Sequence, residues 1–237
     1  MNIVCIGAHQ DDIDIHCLGT LLRYHAQGDV VITNVSVSNG DKGAQYDLSM
    51  AYEDVTAMRN AEAAEIVESL GGRFICMGLP DEYVRDTDEA RNQMTDILRE
   101  AKADIVFAPP PVDYNPDHIV SGQIAYQACL MAPIRTIYTD HDPLPDFPAM
   151  YYMDSVAGLD WQPTHYVDIS HVFERKCELL QLYKSQMRNM EQFGGWDLVT
   201  YARILSAFRG LQCSVQCAEA FKPVLAWPRV RAGNMLP

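Results

Sequence analysis

Four short apolar runs, Ile3–Ala8, Val30–Ser36, Arg73–Met77 and Ile105–Ala108, recur through the first half of the chain. Each is followed by an amphipathic segment: Leu18–Gln27, Tyr52–Leu70, Asp88–Ala101 and Ile119–Met131. Runs of this length bounded by turn residues read as buried strands, and the segments between them read as helices. Gly28-Asp29, Gly71-Gly72 and Lys102-Ala103-Asp104 stand where a helix must stop and a strand begin. A β-α-β-α succession requires right-handed crossovers. The expected class is therefore α/β, a Rossmann-like doubly wound, mostly parallel sheet with helices on both faces.

The second half is less regular. Prolines are frequent between Pro133 and Pro163, and 140–146 is expected to be a surface loop. Strands are expected near Met150–Ser155 and His165–Asp168. A long helix should run from an N-cap at Ser170 to about Met187, and another from Trp196 to Leu211. No linker or compositional break divides the 237 residues, so 1–237 reads as a single domain.

A formal charge of −14 argues against nucleic acid and anionic membrane surfaces as partners and leaves small molecules open. The first strand turns polar at His9 without a basic lead, which is unlike a secretory signal or a membrane span. Seven cysteines, an odd number without disulfide or zinc-knuckle spacing, suit a reducing compartment. Free thiols and a cytoplasmic location are expected, with Cys213 and Cys217 read as small packing residues.

The first strand ends in an unusual way, releasing His9-Gln10-Asp11-Asp12 where the core stops. An imidazole and adjacent carboxylates there must be desolvated or satisfied, which suggests a metal site. In a doubly wound sheet of order 3-2-1-4, the loops after the first and fourth strands share one crevice. The second of these loops carries Asp113-Tyr114-Asn115-Pro116-Asp117-His118, so the fold brings His118 toward His9 and Asp12. Two imidazole nitrogens and one carboxylate leave a coordination position open, as in catalytic zinc sites. Asp11 would then be free to accept a proton from the attacking water. Each motif also has a plainer explanation, since paired Asp residues are often solvated and an Asp-His pair before a helix is a good cap.

The stretch Ala8-His9-Gln10-Asp11-Asp12, continuing to Gly19-Thr20, together with Pro116-Asp117-His118, resembles the zinc-dependent PIG-L (LmbE-like) N-deacetylases, and most closely their bacillithiol-pathway branch. Collinear similarity continues at Arg59, Leu79-Pro80-Asp81, Asp168-Ile169-Ser170, Tyr183-Lys184-Ser185-Gln186 and Ala218-Glu219-Ala220-Phe221. The resemblance implies that His9, Asp12 and His118 bind Zn2+, that Asp11 is the general base, and that Asp117 orients its neighbours. It implies that Arg59 and Asp81 contact sugar hydroxyls or nearby acids; a salt bridge at the crevice mouth is the other reading of that pair. The expected reaction is hydrolysis of the N-acetyl group of an amino sugar or its glycoside. Hydrolysis of another N-acyl amide, or metal and sugar binding without catalysis, are the alternatives.

Two residues depart from that family's pattern. Asn115 stands where the family usually has His, so it can donate a hydrogen bond to an oxyanion but has no titrating proton. His16 stands where Gly is common; four residues after Asp12, it either reaches the substrate pocket or packs at a helix start. Gly40-Asp41-Lys42-Gly43 is either a loop over the crevice or a simple turn. Tyr151, Tyr152, Trp161 and Tyr166 either stack on a sugar or belong to the core. Leu144, Phe147, Val230, Met235 and Leu236 lie in segments with little pattern for burial, and apolar surface of that kind marks interfaces. With the resemblance, this gives an expected homo-oligomer, a trimer or hexamer.

Overall fold

The structure is a computed structural model describing residues 1–192 and 196–225. The chain runs β1 (Asn2–Gly7), α1 (Asp12–His16), α2 (Leu18–Gln27), β2 (Val31–Ser38), α3 (Tyr52–Glu68), β3 (Arg73–Leu79), α4 (Asp88–Glu100), β4 (Ile105–Ala108) and α5 (Pro116–Met131). It continues through β5 (Ala149–Tyr152), β6 (His165–Asp168), α6 (Phe173–Leu180), α7 (Lys184–Gln192), α8 (Leu198–Cys213) and β7 (Ala218–Pro223). The strands form a sheet of order β3-β2-β1-β4-β5-β7-β6. Its first five members pair in parallel, and β7 pairs antiparallel with β5 and β6.

Alternation along β1 divides the core between the two faces of the sheet. Ile3 and Cys5 pack with Leu18 and Leu21 of α2 and Ile66 of α3. Val4 and Ile6 pack with Ile97 and Leu98 of α4 and Ile124 of α5. Successive side chains of a strand point to opposite faces, so a wholly apolar strand needs helices on both. Strand order reverses at β1, whose neighbours are β2 and β4. The crevice therefore opens beyond the ends of β1 and β4, as the parallel topology dictates.

Four expectations differ from the structure. The helix expected from Ser170 to Met187 is two helices, broken at 181–183, because Tyr183 is pulled fully into the core. Ser170 is not a cap: its hydroxyl donates to Asp168 and accepts from the Cys217 backbone N–H, closing the turn after β6. The fifth strand ends at Tyr152, and β7 was not anticipated. Leu144 is buried rather than exposed; its N–H donates to the Ala132 carbonyl at the end of α5, and its side chain joins the α4–α5 core. Phe147 is half-buried, and Trp227–Pro237 lies outside the described residues. Among the described residues no helix is long and apolar enough to cross a membrane.

Candidate metal and catalytic centre

The turn after β1 leads directly into α1, which places Asp12 in the first helical turn with its Oδ2 accepting from the His9 N–H at 2.8 Å. Pro116 opens α5 behind an Asn115 cap whose Oδ1 accepts from the Asp117 N–H at 2.8 Å. Proline suits that position because its missing N–H would be unsatisfied in any case. His118 then points from the first turn of α5 toward β1.

His9 Nδ1 lies 3.2 Å from His118 Nε2, His118 Nε2 lies 3.4 Å from Asp12 Oδ1, and His9 Nδ1 lies 3.6 Å from Asp12 Oδ2. The two edges to Asp12 run to different oxygens; with one ligand atom taken from each residue, the three donors lie within 4.8 Å of one another, close enough to share one ion. The remaining ring nitrogens are also engaged. His9 Nε2 is 3.1 Å from Asp81 Oδ1, and His118 Nδ1 is 3.3 Å from Asp113 Oδ2. A carboxylate on the far nitrogen fixes the tautomer that offers a lone pair to a metal and raises its basicity.

Charges follow from the same contacts. Burial opposes ionisation of His9, but Asp117, Asp12 and Asp81 outweigh it and hold the imidazole well above its usual value. Burial likewise opposes His118, and Asp12 and Asp113 push it up to about 9. Burial works against the carboxylate of Asp12 as well, yet His118 and His9 keep it well below the usual range. The pocket is thus an electronegative cradle that holds positive charge, supplied by protons or by a cation.

His9, Asp81 and Asp117 form a second set of donors close enough to share a metal. Asp117 is already committed, however, accepting from the backbone N–H groups of Glu82 at 2.7 Å and Val84 at 3.2 Å. Asp81 accepts from Ser38 Oγ and from the Lys42 N–H. These two carboxylates serve His9, the end of β2 and the loops after β2 and β3, so the first set is the less engaged of the two.

Asp11 lies in the same pocket, 3.1 Å from Arg59 Nη2. Arg59 is buried and also donates to the Gly40 carbonyl at 2.9 Å. A Cβ on Gly43 would stand 2.3 Å from Arg59 Nη1, so the loop from Gly40 to Gly43 closes directly on the guanidinium. Arg59 therefore braces Asp11 and the loop, which is the salt-bridge reading of this residue. His16 lines the cavity with its Nδ1 buried and unpartnered. Burial pushes it down to about 3, so it is a neutral imidazole. Asn115 also lines the cavity.

Tyr151 stacks on Phe107 in the core and Trp161 is buried, while the Tyr166 hydroxyl donates to Gln212. None of these, nor Tyr152, is among the residues lining the pocket. The motifs at Tyr183 and Glu219 act from behind it. The Tyr183 hydroxyl lies 2.6 Å from both the Gln10 carbonyl and Asp14 Oδ2, so the two acceptors share its one proton, and burial raises Asp14 to about 7. Glu219 accepts from the N–H groups of Gly19 and Thr20 at the start of α2, and from Lys176, which also donates to the Ile15 carbonyl. Asp113 was not singled out from sequence; its position five residues before His118 in the same loop was the available signal.

A family profile described as GlcNAc-PI de-N-acetylase (PIG-L) matches residues 4–129. The chain is 24% identical to the diacetylchitobiose deacetylase of Thermococcus kodakarensis, covering 93% of this chain and 82% of that one. The N,N'-diacetylchitobiose deacetylase of Pyrococcus horikoshii superposes with a TM-score of 0.80 at 23% identity, covering 94% of this chain and 83% of that one. The 4-carboxy-2-hydroxymuconate hydratase of Pseudomonas putida superposes with a TM-score of 0.83 at 21% identity, covering 99% of this chain and 100% of that one.

Proposed function

Because this chain belongs to the PIG-L family, we propose that it is a zinc-dependent hydrolase that removes the acetyl group from an N-acetylated amino sugar or its glycoside. The observation that carries the reading is the set His9, Asp12 and His118, whose donor atoms lie close enough together to share one metal ion. Bound there, zinc supplies Lewis acidity to the amide carbonyl and to the attacking water.

Asp11 takes the proton from that water as the nucleophile forms, and Arg59 keeps the carboxylate aimed into the cavity. Asn115 Nδ2 is a donor for the developing oxyanion, since Oδ1 is committed to the Asp117 N–H. The departing amine needs a proton; Asn115 has none that titrates, and the N–H of a neutral His16 is too weak an acid to supply it. In this reading Asp11 returns to the amine the proton it accepted.

Charge in the cavity favours a neutral sugar. Asp11, Asp12, Asp81 and Glu82 line it, against Lys42, Arg59 and the imidazoles His9 and His118, which would face the metal. Arg59 is engaged by Asp11 and Gly40; Lys42 is 2.6 Å from Asp41 and lies over the Tyr52 ring. Hydration of an unsaturated polycarboxylate is the second reading, motivated by the fold shared with the hydratase relative. It would require cations free to pair with the substrate.

The test is to incubate zinc-loaded protein with N-acetylglucosamine and its methyl glycoside. Equimolar acetate and free amine are expected, with an Asp11→Asn protein silent. Absence of acetate, with hydration of an unsaturated dicarboxylate instead, would replace this reading by the second.

A further inference from the structure

A second cleft, of about 880 Å³, adjoins the catalytic cavity of about 280 Å³ and shares Lys42 and Gln45 with it. Lys42 sits at the junction. Its backbone N–H donates to Asp81 Oδ2 at 3.0 Å inside the catalytic site, while its ammonium lies 4.0 Å from the centre of the Tyr52 ring in the cleft. The shared wall is also fixed. Gly40 is held by Arg59, and the Gly43 carbonyl accepts from Gln186 Nε2 at 3.1 Å. The Gln45 N–H donates to Asn189 Oδ1 at 3.3 Å.

The cleft carries an apolar strip beside its charged rim. Ala44, Leu48, Met50 and Val55 supply the apolar part of its lining, and Tyr52 adds an aromatic ring. Leu48 is 91% exposed and Tyr52 60% exposed, so apolar surface is left open beside the reacting centre. Solvent-exposed apolar surface continuous with a polar site marks a binding groove for the less polar part of a ligand. The charged groups around it are Asp41, Asp47 and Glu53 against Lys42, which Asp41 already engages. That balance repels an anion.

We propose that this cleft is a subsite for an apolar, uncharged aglycone, so that the substrate is an N-acetylamino-sugar glycoside carrying an aryl or alkyl group rather than a free sugar or a phosphorylated one. The inference rests on the deacetylase reading only for the identity of the sugar end. With the sugar in the catalytic cavity, the aglycone passes over Lys42 and lies along Tyr52 and Leu48.

Binding and turnover test it separately. Calorimetry on zinc-loaded protein carrying Asp11→Asn, which stops turnover, compares the methyl and phenyl glycosides of N-acetylglucosamine. The phenyl glycoside is expected to bind about tenfold more tightly, the ratio gained by burying roughly one face of a phenyl ring. Adding Leu48→Asp should bring the ratio close to one. Equal binding of the two probes, or no binding of either, would overturn the subsite. So would diacetylchitobiose binding as tightly as the phenyl glycoside, which would assign the cleft to a second sugar. Acetate release by the wild type separates the two readings. If the wild type deacetylates the methyl glycoside but the probes bind equally, the subsite fails and the hydrolase stands. If the phenyl glycoside binds more tightly but no acetate appears, the hydrolase fails and the subsite stands.

Discussion

The guanidinium of Arg59 donates to Oδ1 of Asp11 at 3.1 Å. Arg59 is buried, donates also to the backbone of Gly40 and stands 4.0 Å from Asp81 Oδ2, so its reach is spent mainly on carboxylates and the loop at the cavity wall. A group that acts through another should alter the chemical step more than binding.

Replacing Arg59 with Met should lower kcat by about 10- to 100-fold, the range seen for outer partners of catalytic groups, with a smaller change in KM. Steady-state kinetics on the zinc-loaded variant checks this. A raised KM with unchanged kcat would instead make Arg59 a sugar ligand.

The carboxylate partners of the two imidazoles should tune metal affinity. His9→Ala, Asp12→Ala and His118→Ala are expected to abolish stoichiometric zinc binding, and Asp113→Asn to weaken it by about 10- to 100-fold through His118 Nδ1. Asp11→Asn should keep zinc and lose turnover by about 100-fold or more. Competition with a chromogenic chelator reads all five proteins; zinc loss in the Asp11 variant with retention in the Asp12 variant would reverse the roles.

Asn115 combines a helix cap with a side chain in the cavity, and substitutions can separate the two. Asn115→Ala should cost about 1 kcal/mol in denaturant unfolding, a typical cap loss, and also slow turnover. Asn115→Asp keeps the cap and removes the donor, so it should slow turnover without that loss of stability. Asn115→His should raise the rate or add a titrating limb to the pH–rate profile, because it supplies the proton that Asp11 otherwise returns.

His16 predicts a pH effect on stability. Burial holds its folded value at about 3, below the roughly 6.5 of an unfolded histidine. The unfolded chain therefore takes up the proton first as pH falls. The stability His16 contributes is complete above about pH 6.5 and is lost from there down to about pH 3, at roughly 1.4 kcal/mol per unit. Between pH 7 and 5 the unfolding free energy of wild type should fall by about 2 kcal/mol more than that of His16→Asn. Parallel curves for the two proteins would mean that His16 is solvated.

Much of this was legible in the chain because its signals were local. Apolar runs opened by Gly28-Asp29 and Gly71-Gly72 marked β2 and β3, and parallel topology alone carried His118 to His9. What escaped depended on distant partners. Nothing near Tyr183 announces a helix break, because its cause is a hydrogen bond to Gln10 at the other end of the chain. Ala218–Pro223 is short and half polar, and becomes a strand by pairing with β5 and β6. Glu219 is buried there because two N–H groups of α2 and Lys176 satisfy it. Asp113 gains its role only when His118 turns toward it.

The most direct test of the account is an anomalous difference map from crystals of zinc-loaded protein, recorded on both sides of the zinc absorption edge. One peak is expected about 2.1 Å from His9 Nδ1, a carboxylate oxygen of Asp12 and His118 Nε2, with a coordination position left open toward Asp11. A peak among His9 Nε2, Asp81 and Asp117 instead, or no peak at full zinc loading, would contradict the assignment of the centre.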